Sequence, residues 1–172
     1  MKANIALIGF MGSGKTTVGR QLAKALDMKF IDIDKMISMR EKKNIPEIFK
    51  EYGEKYFRDK EREIIEEESR ENNIVIATGG GAIVDNENLK NLKKSSYVVY
   101  LDATIECIYE RIKESKHRPL IAEADDVYAR IKELYEKRLW LYKISGDYSV
   151  EITTETVTQD TVDKIKEAYI KS

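Results

Sequence analysis

Two hydrophobic rhythms alternate along this chain. Ile5-Ala6-Leu7-Ile8 is a short unbroken apolar run, the pattern of a parallel strand buried on both faces. Residues 17–26 then place Val18, Leu22, Ala25 and Leu26 at helical spacing. Residues 29–32 predict a second strand, and residues 35–43, with Met36, Ile37 and Met39, a second helix. Asn44-Ile45-Pro46-Glu47 reads as a helix start: Asn44 caps, Glu47 reaches back as in a capping box, and Pro46 is tolerated in a first turn. That helix is expected to run to Tyr52 and stop at Gly53. A longer, strongly charged helix follows to about Glu71, with Phe57, Ile64 and Ile65 facing inward. Residues 73–78 predict a third strand, which runs straight into Gly79-Gly80-Gly81. Asp85 or Asn86 caps a short helix through Leu89 and Leu92, residues 97–101 form a fourth strand, and residues 104–113 a helix. Residues 125–143 predict a long helix on Val127, Ile131, Leu134, Leu139 and Leu141, residues 148–152 a fifth strand, and residues 159–170 a closing helix. Only residues 114–124 carry no period. Alternating strands and helices predict an α/β fold, a parallel sheet with helices on both faces. Ligands of such sheets bind beyond the carboxyl ends of the strands.

Composition narrows the function. A chain of 172 residues, 42% hydrophobic and 35% charged, suits one globular domain spanning residues 1–172. The formal net charge of −1 gives the whole molecule no pull toward nucleic acid or a membrane surface, so neither is expected as a partner. Cys107 has no second cysteine to pair with, which fits a reducing compartment, and it sits with Ile108 and Ile112 at core spacing. The first strand follows Met1-Lys2-Ala3 at once, leaving no room for a signal peptide, and no apolar run approaches membrane-spanning length. A cytoplasmic protein is expected.

The chemistry centres on Gly9-Phe10-Met11-Gly12-Ser13-Gly14-Lys15-Thr16, which has the form G-x-x-x-x-G-K-[ST] of a phosphate-binding loop. Its glycines let backbone N–H groups turn inward onto an anion. Lys15 adds a charge near the β- and γ-phosphates, and the Thr16 hydroxyl is placed to ligate Mg²⁺. The apolar run before the motif and the helical spacing after it supply the strand–loop–helix context the loop needs.

Asp32 and Asp34, at the end of the second strand, point the same way if the strand extends through both. One then suits the metal's water shell and the other a substrate hydroxyl; the alternative is that Asp34 simply caps the next helix. The third strand ends in glycines rather than a carboxylate, which leaves Asp32 as the candidate second metal ligand. Gly79, Gly80 and Gly81 suit a close approach of backbone N–H groups to a ligand. Arg58, Arg111 and Arg138 each look like solvated helix charges when taken alone. Arg118, with Pro119 in the unpatterned segment, suits a lid that brings an arginine to the transferring phosphoryl group. His117 reads as an exposed loop residue, and Trp140 as packing for the long helix.

Taken together, these motifs resemble the shikimate kinases along nearly the whole chain. The matching pieces are Gly9 to Thr17, Phe30-Ile31-Asp32-Ile33-Asp34, Ile48-Phe49, Gly53-Glu54 with Phe57-Arg58, Gly79-Gly80-Gly81-Ala82, Arg118-Pro119-Leu120, and Arg138 with Tyr142. The resemblance implies a nucleoside-monophosphate-kinase-like fold of strand order 2-3-1-4-5, with a lid at about residues 114–124. It implies ATP-dependent phosphorylation of the 3-hydroxyl of shikimate, on the route to chorismate and the aromatic amino acids, with Mg²⁺; separately, a monomer is expected. It also implies residue roles. Gly12, Ser13, Gly14, Lys15, Thr16 and Thr17 hold the ATP phosphates, Thr16 and Asp32 serve Mg²⁺, and Arg111 lies against the adenine. Asp34 contacts the substrate hydroxyls; Arg58, Arg138 and Gly80, within the loop of Gly79 to Gly81, bind shikimate; Phe49 and Phe57 line its pocket. Lys15, Asp34 and Arg118 form the catalytic set. One departure is residues 153–157, the counterpart of the adenine loop, which offer neither the arginine nor the proline that relatives often place there. Competing readings are another small-molecule kinase of this fold, such as a gluconate kinase, and a nucleotide-binding regulatory domain without turnover.

Overall fold

Five parallel strands form the frame of the computed structural model, which describes residues 2–113, 121 and 124–172. β1 (Asn4–Ile8), β2 (Lys29–Asp32), β3 (Ile74–Ala77), β4 (Ser96–Ala103) and β5 (Tyr148–Ile152) lie in the order β2-β3-β1-β4-β5. The continuous apolar runs take the centre. Every residue of β1 and of β3 is buried, whereas the edge strands β2 and β5 mix buried with exposed positions. A strand covered on both faces has no use for alternation, so unbroken Ile/Val/Leu runs fall at the middle of the sheet.

The helices follow the expected order. They are α1 (Lys15–Leu26), α2 (Ile33–Glu41), α3 (Ile45–Glu68), α4 (Asn86–Ser95), α5 (Ile105–Ile112), α6 (Val127–Ser145) and α7 (Thr158–Ile170). α1 packs on α7, and α3 lies against both α2 and α4. Caps set several boundaries. The Asn44 side chain accepts from the Glu47 N–H at 2.9 Å while Glu47 accepts from the Asn44 N–H at 2.9 Å, the reciprocal box that Asn44 and Glu47 predicted. Asp85 and Thr104 cap α4 and α5. Gly53, at φ 82° and ψ 171°, leaves helical geometry and divides α3 into the two segments expected on either side of it.

Three expectations are corrected. The strand does not extend through both aspartates: β2 stops at Asp32, and Asp34 lies in the first turn of α2. The cap is Asp32, whose carboxylate accepts from the Lys35 N–H at 3.2 Å, and not Asp34. Trp140 does not pack its helix; it is 63% exposed, because α6 turns Ile131, Leu134, Tyr135 and Tyr142 inward instead. Cys107 is buried in the core as its spacing predicted.

Candidate active site

The carboxyl ends of β1, β2 and β3 open onto a cavity of about 240 Å³. The phosphate-binding loop forms one wall, through Met11, Gly12, Gly14, Lys15, Thr16 and Thr17; Asp32, Asp34, Thr78, Gly80, Arg111 and Ile112 line the remainder. Gly12 and Gly14 have φ of 77° and 98°, values that favour glycine, and they bend the chain into α1. Lys15 curls back over its own loop. Its ammonium donates to the carbonyls of Gly9 and Phe10 at 2.8 Å each and to the Ser13 hydroxyl at 3.3 Å. The charge therefore sits over the loop that would hold phosphate rather than out in solvent.

Thr16 donates its hydroxyl proton to Asp32 Oδ2 at 2.8 Å. This pair brings a hydroxyl and a carboxylate from different elements to one point. Hard oxygen donors of this kind suit Mg²⁺, which keeps much of its water and takes only one or two protein ligands beside substrate phosphates. Among the described residues, no three His, Cys, Asp or Glu side chains cluster into a metal cage. The donor set thus fits a nucleotide-borne Mg²⁺.

A second chamber of about 230 Å³ shares Gly14, Thr17 and Arg111 with the first and extends between Ser13, Val18, Ile152, Thr156, Thr158 and Thr161. Arg111 stands at the junction and donates to the Gly12 carbonyl at 3.0 Å. Residues 153–157 do reach this chamber, through Thr156. Thr156 accepts from the Thr153 N–H at 2.7 Å, which fixes the loop by threonine hydrogen bonds in place of an arginine or proline.

Beside the first cavity, reached through Asp34 and Gly80, lies a cluster of side chains far apart in sequence. Arg58, on α3, donates to Glu61 Oε2 at 2.7 Å and to Glu54 Oε1 at 3.2 Å, and its guanidinium lies 5.1 Å from the Phe57 ring centroid. Phe57 in turn meets Phe49 at 5.0 Å between centroids, across the Gly53 break. Arg138 reaches from α6 to the Gly80 carbonyl at 3.3 Å, and the Tyr142 hydroxyl donates to the same oxygen. The three glycines are there for space. A Cβ on Gly79 would stand 2.3 Å from Glu61 Oε1 and 3.0 Å from Asp34 Oδ1; one on Gly80 would stand 2.9 Å from the Met11 nitrogen; one on Gly81 would stand 2.6 Å from Arg58 Nη2. Arg58, Arg138, Asp34 and the glycine loop are thus brought together, as the sequence reading required. Arg118 lies outside the described residues, as do His117 and most of the expected lid.

A family model described as shikimate kinase matches residues 11–169. The chain belongs to the shikimate kinase family. It is 45% identical to the shikimate kinase of Persephonella marina over 88% of this chain and 89% of that protein. It is 40% identical to that of Caldanaerobacter subterraneus subsp. tengcongensis over 98% and 96%. A solved shikimate kinase from Acinetobacter baumannii, in complex with shikimate, superimposes with a TM-score of 0.94 at 35% identity, covering 99% of this chain and 94% of that one.

Glu61 is a residue beside the site that sequence reasoning passed over. It is completely buried, and burial pushes its carboxyl up to about 7 against the opposing pull of Arg58. A signal was available. Glu61 stands on the stripe of Phe57, Ile64 and Ile65, at an inward position where a charge demands a partner. Thr78, which lines the cavity and donates its hydroxyl to the Leu7 carbonyl at 3.0 Å, carried no comparable signal.

Proposed function

We infer that this chain transfers the γ-phosphoryl group of ATP to the 3-hydroxyl of shikimate, giving shikimate 3-phosphate and ADP within the route to chorismate. The observation that carries the reading is the family match from residue 11 to residue 169, joined to a cavity that the phosphate loop shares with Asp32, Asp34 and Gly80, whose carbonyl holds Arg138.

Gly12, Ser13, Gly14, Lys15, Thr16 and Thr17 hold the phosphates, with the adenine against Arg111 in the second chamber. Thr16 and Asp32 hold the metal's oxygen shell. Mg²⁺, when bound with ATP, neutralises charge on the phosphate oxygens. Arg58 and Arg138 grip the substrate carboxylate, for which the planar guanidinium fork is suited. Gly79, Gly80 and Gly81 let the substrate ring lie close to backbone, and Phe49 and Phe57 wall its apolar face. Asp34, near Gly79 and lining the same cavity, accepts the proton of the attacking hydroxyl. Lys15 keeps positive charge beside the leaving phosphates. Arg118 is assigned to the transferring phosphoryl group, where an arginine is worth roughly 10³-fold or more in rate. On this reading, residues 1–172 are one domain acting as a monomer in the cytoplasm. Separately, among the described residues no helix is long and apolar enough to cross a membrane.

The test is a coupled assay for ADP release with ATP and Mg²⁺, run with shikimate and with gluconate. Turnover confined to shikimate supports the reading. Preference for gluconate moves the substrate assignment, and absence of ADP release with either removes the kinase reading.

A further inference from the structure

Arg58 is already committed before any substrate arrives. Glu61 holds its Nη1 at 2.7 Å from a position with no solvent exposure, and Glu54 holds its other edge. A substrate carboxylate that takes the guanidinium fork therefore competes with an internal carboxylate that cannot leave. Glu61 is also only half satisfied. Its Oε2 meets Arg58, but its buried Oε1 has no hydrogen-bond partner among the described residues. Oε1 and Asp34 Oδ1 both converge on the α-carbon of Gly79.

The surroundings of Glu61 are predominantly acidic. From its own helix it faces Arg58; from α2, Asp34; from the turn before α4, Asp85, which Arg62 neutralises at 2.6 Å; from α6, the Tyr142 hydroxyl. Arg58 is the cation that touches it, and Arg138 on α6 stands beside the same Tyr142 hydroxyl. A second negative charge on Arg58 weakens that attraction and adds repulsion in a site where water cannot screen it.

We propose that Glu61, which holds Arg58, takes up a proton when the substrate's carboxylate docks on that arginine, so that shikimate affinity falls as pH rises. This rests on the shikimate kinase reading above. The proton comes from solvent and goes to Glu61; no covalent bond in the substrate changes. The burial that already holds this carboxyl near 7 puts the effect within the working pH range. The sign follows from linkage: the complex binds more protons than the free enzyme, so alkaline pH favours the free enzyme.

The experiment is calorimetric titration of shikimate into the intact protein at pH 7.5, in phosphate and in Tris, followed by a pH series from 6 to 8.5. The expected result is a binding heat that differs between buffers by a fraction of a proton. The Kd should rise with pH by up to about tenfold, the equivalent of one unit of pKa change on binding. Shikimate's own carboxylate stays ionised across this range. In Glu61→Gln, which mimics the protonated side chain, the heats should become equal between buffers and the Kd flat with pH. Equal heats in the wild type would overturn the proposal and leave the kinase reading standing. Proton uptake that persists in Glu61→Gln would move it to another group and also overturn the proposal. A wild type that does not bind shikimate would overturn both. Should Glu61→Gln not fold, the wild-type buffer comparison decides alone.

Discussion

The two walls of the site, the phosphate loop that lines the first cavity and the arginine cluster that adjoins it, are made in opposite ways. The phosphate wall is one continuous stretch of chain. Its shape comes from backbone torsions at Gly12 and Gly14, and its single charge, Lys15, is held by carbonyls and a hydroxyl of the same loop. The acid wall has no such local origin. It assembles Arg58 from α3, Asp34 from α2, Arg138 from α6 and glycines from the end of β3, and its main charge is balanced by a buried carboxylate. A local loop keeps its form if the surrounding helices shift slightly. A composite wall holds only while each contributor is pinned, which gives Glu61, Tyr142 and the glycine loop their importance. On the function proposed above, triphosphate recognition falls on the robust wall and substrate choice on the adjustable one.

The largest effect expected from breaking the phosphate wall is at Lys15. Lys15→Ala should lower kcat by roughly a hundred- to thousandfold or more, since it removes a fixed charge from a preorganised site. Because the loop is self-contained, affinity for shikimate alone should stay within about twofold of wild type by titration. A large loss there would show that the two walls are not separable.

On the acid wall, Arg58→Ala should weaken substrate capture by roughly ten- to thousandfold, as for a charged bidentate contact worth a few kcal/mol. Arg58→Lys should not restore it, because the fork is lost. The discriminating measurement compares shikimate with an analogue whose carboxylate is reduced to an alcohol. The variant should lose most of the preference for the acid while handling the alcohol almost as wild type does. Equal loss on both compounds would make Arg58 a support of the fold.

Glu61 sharpens the comparison through stability. Its folded carboxyl titrates near 7, above the unfolded value of 4.5, with burial as the main cause. The raised pKa means that ionisation disfavours the folded state. The wild type's stability relative to Glu61→Gln is therefore greatest at pH 4.5 or below, and it should decline by up to about 3 kcal/mol as pH rises through 7. Denaturant titrations at pH 4.5, 6 and 8 measure this. A constant difference would mean that Glu61 is as well solvated as a surface glutamate.

The smallest effect is expected at the metal pair. Asp32→Asn keeps a cap for α2 but removes the charge beside Thr16, and should raise the Mg²⁺ needed for half-maximal rate by roughly tenfold. An unchanged Mg²⁺ titration would exclude Asp32 from the metal's shell.

Most of the phosphate wall could be read from the sequence, and little of the acid wall could. The reason is the same difference in construction. A loop made by neighbours in sequence leaves a contiguous motif, and Thr16 needed only one distant partner, Asp32, which the strand end supplied. The sheet was equally legible, since a run such as Ile74 to Ala77 has no other place than a buried strand. The acid wall came through family resemblance, because Arg58 and Arg138 look like any other charges on charged helices. Local reasoning misplaced Asp34 by extending a strand that the Asp32 cap ends. It overlooked Glu61 because the helix carries so many glutamates, although only Glu61 and Glu68 among those on α3 are buried. Trp140 was misassigned for a similar reason: size argued for burial, but the inward face of α6 was already taken by Tyr135 and Tyr142.

Gly53 and Gly79 show that one amino acid can be required for two reasons that mutation distinguishes. At Gly53 a Cβ would meet nothing within 4 Å, yet φ is 82°. The demand is for a torsion, so alanine and leucine should be penalised about alike, and a mirror-image residue would find the same torsions ordinary. At Gly79 the torsion is not left-handed, and the demand is for volume, so the penalty should climb with every carbon added. In evolutionary terms, the bend that sets Phe49 against Phe57 is open to few residues but indifferent to their size. In the loop beneath Arg58 a methyl group would have to displace the tips of Glu61, Asp34 or Arg58, or at Gly80 the Met11 backbone, and new substrate preferences in this scaffold should therefore enter through the phenylalanine side.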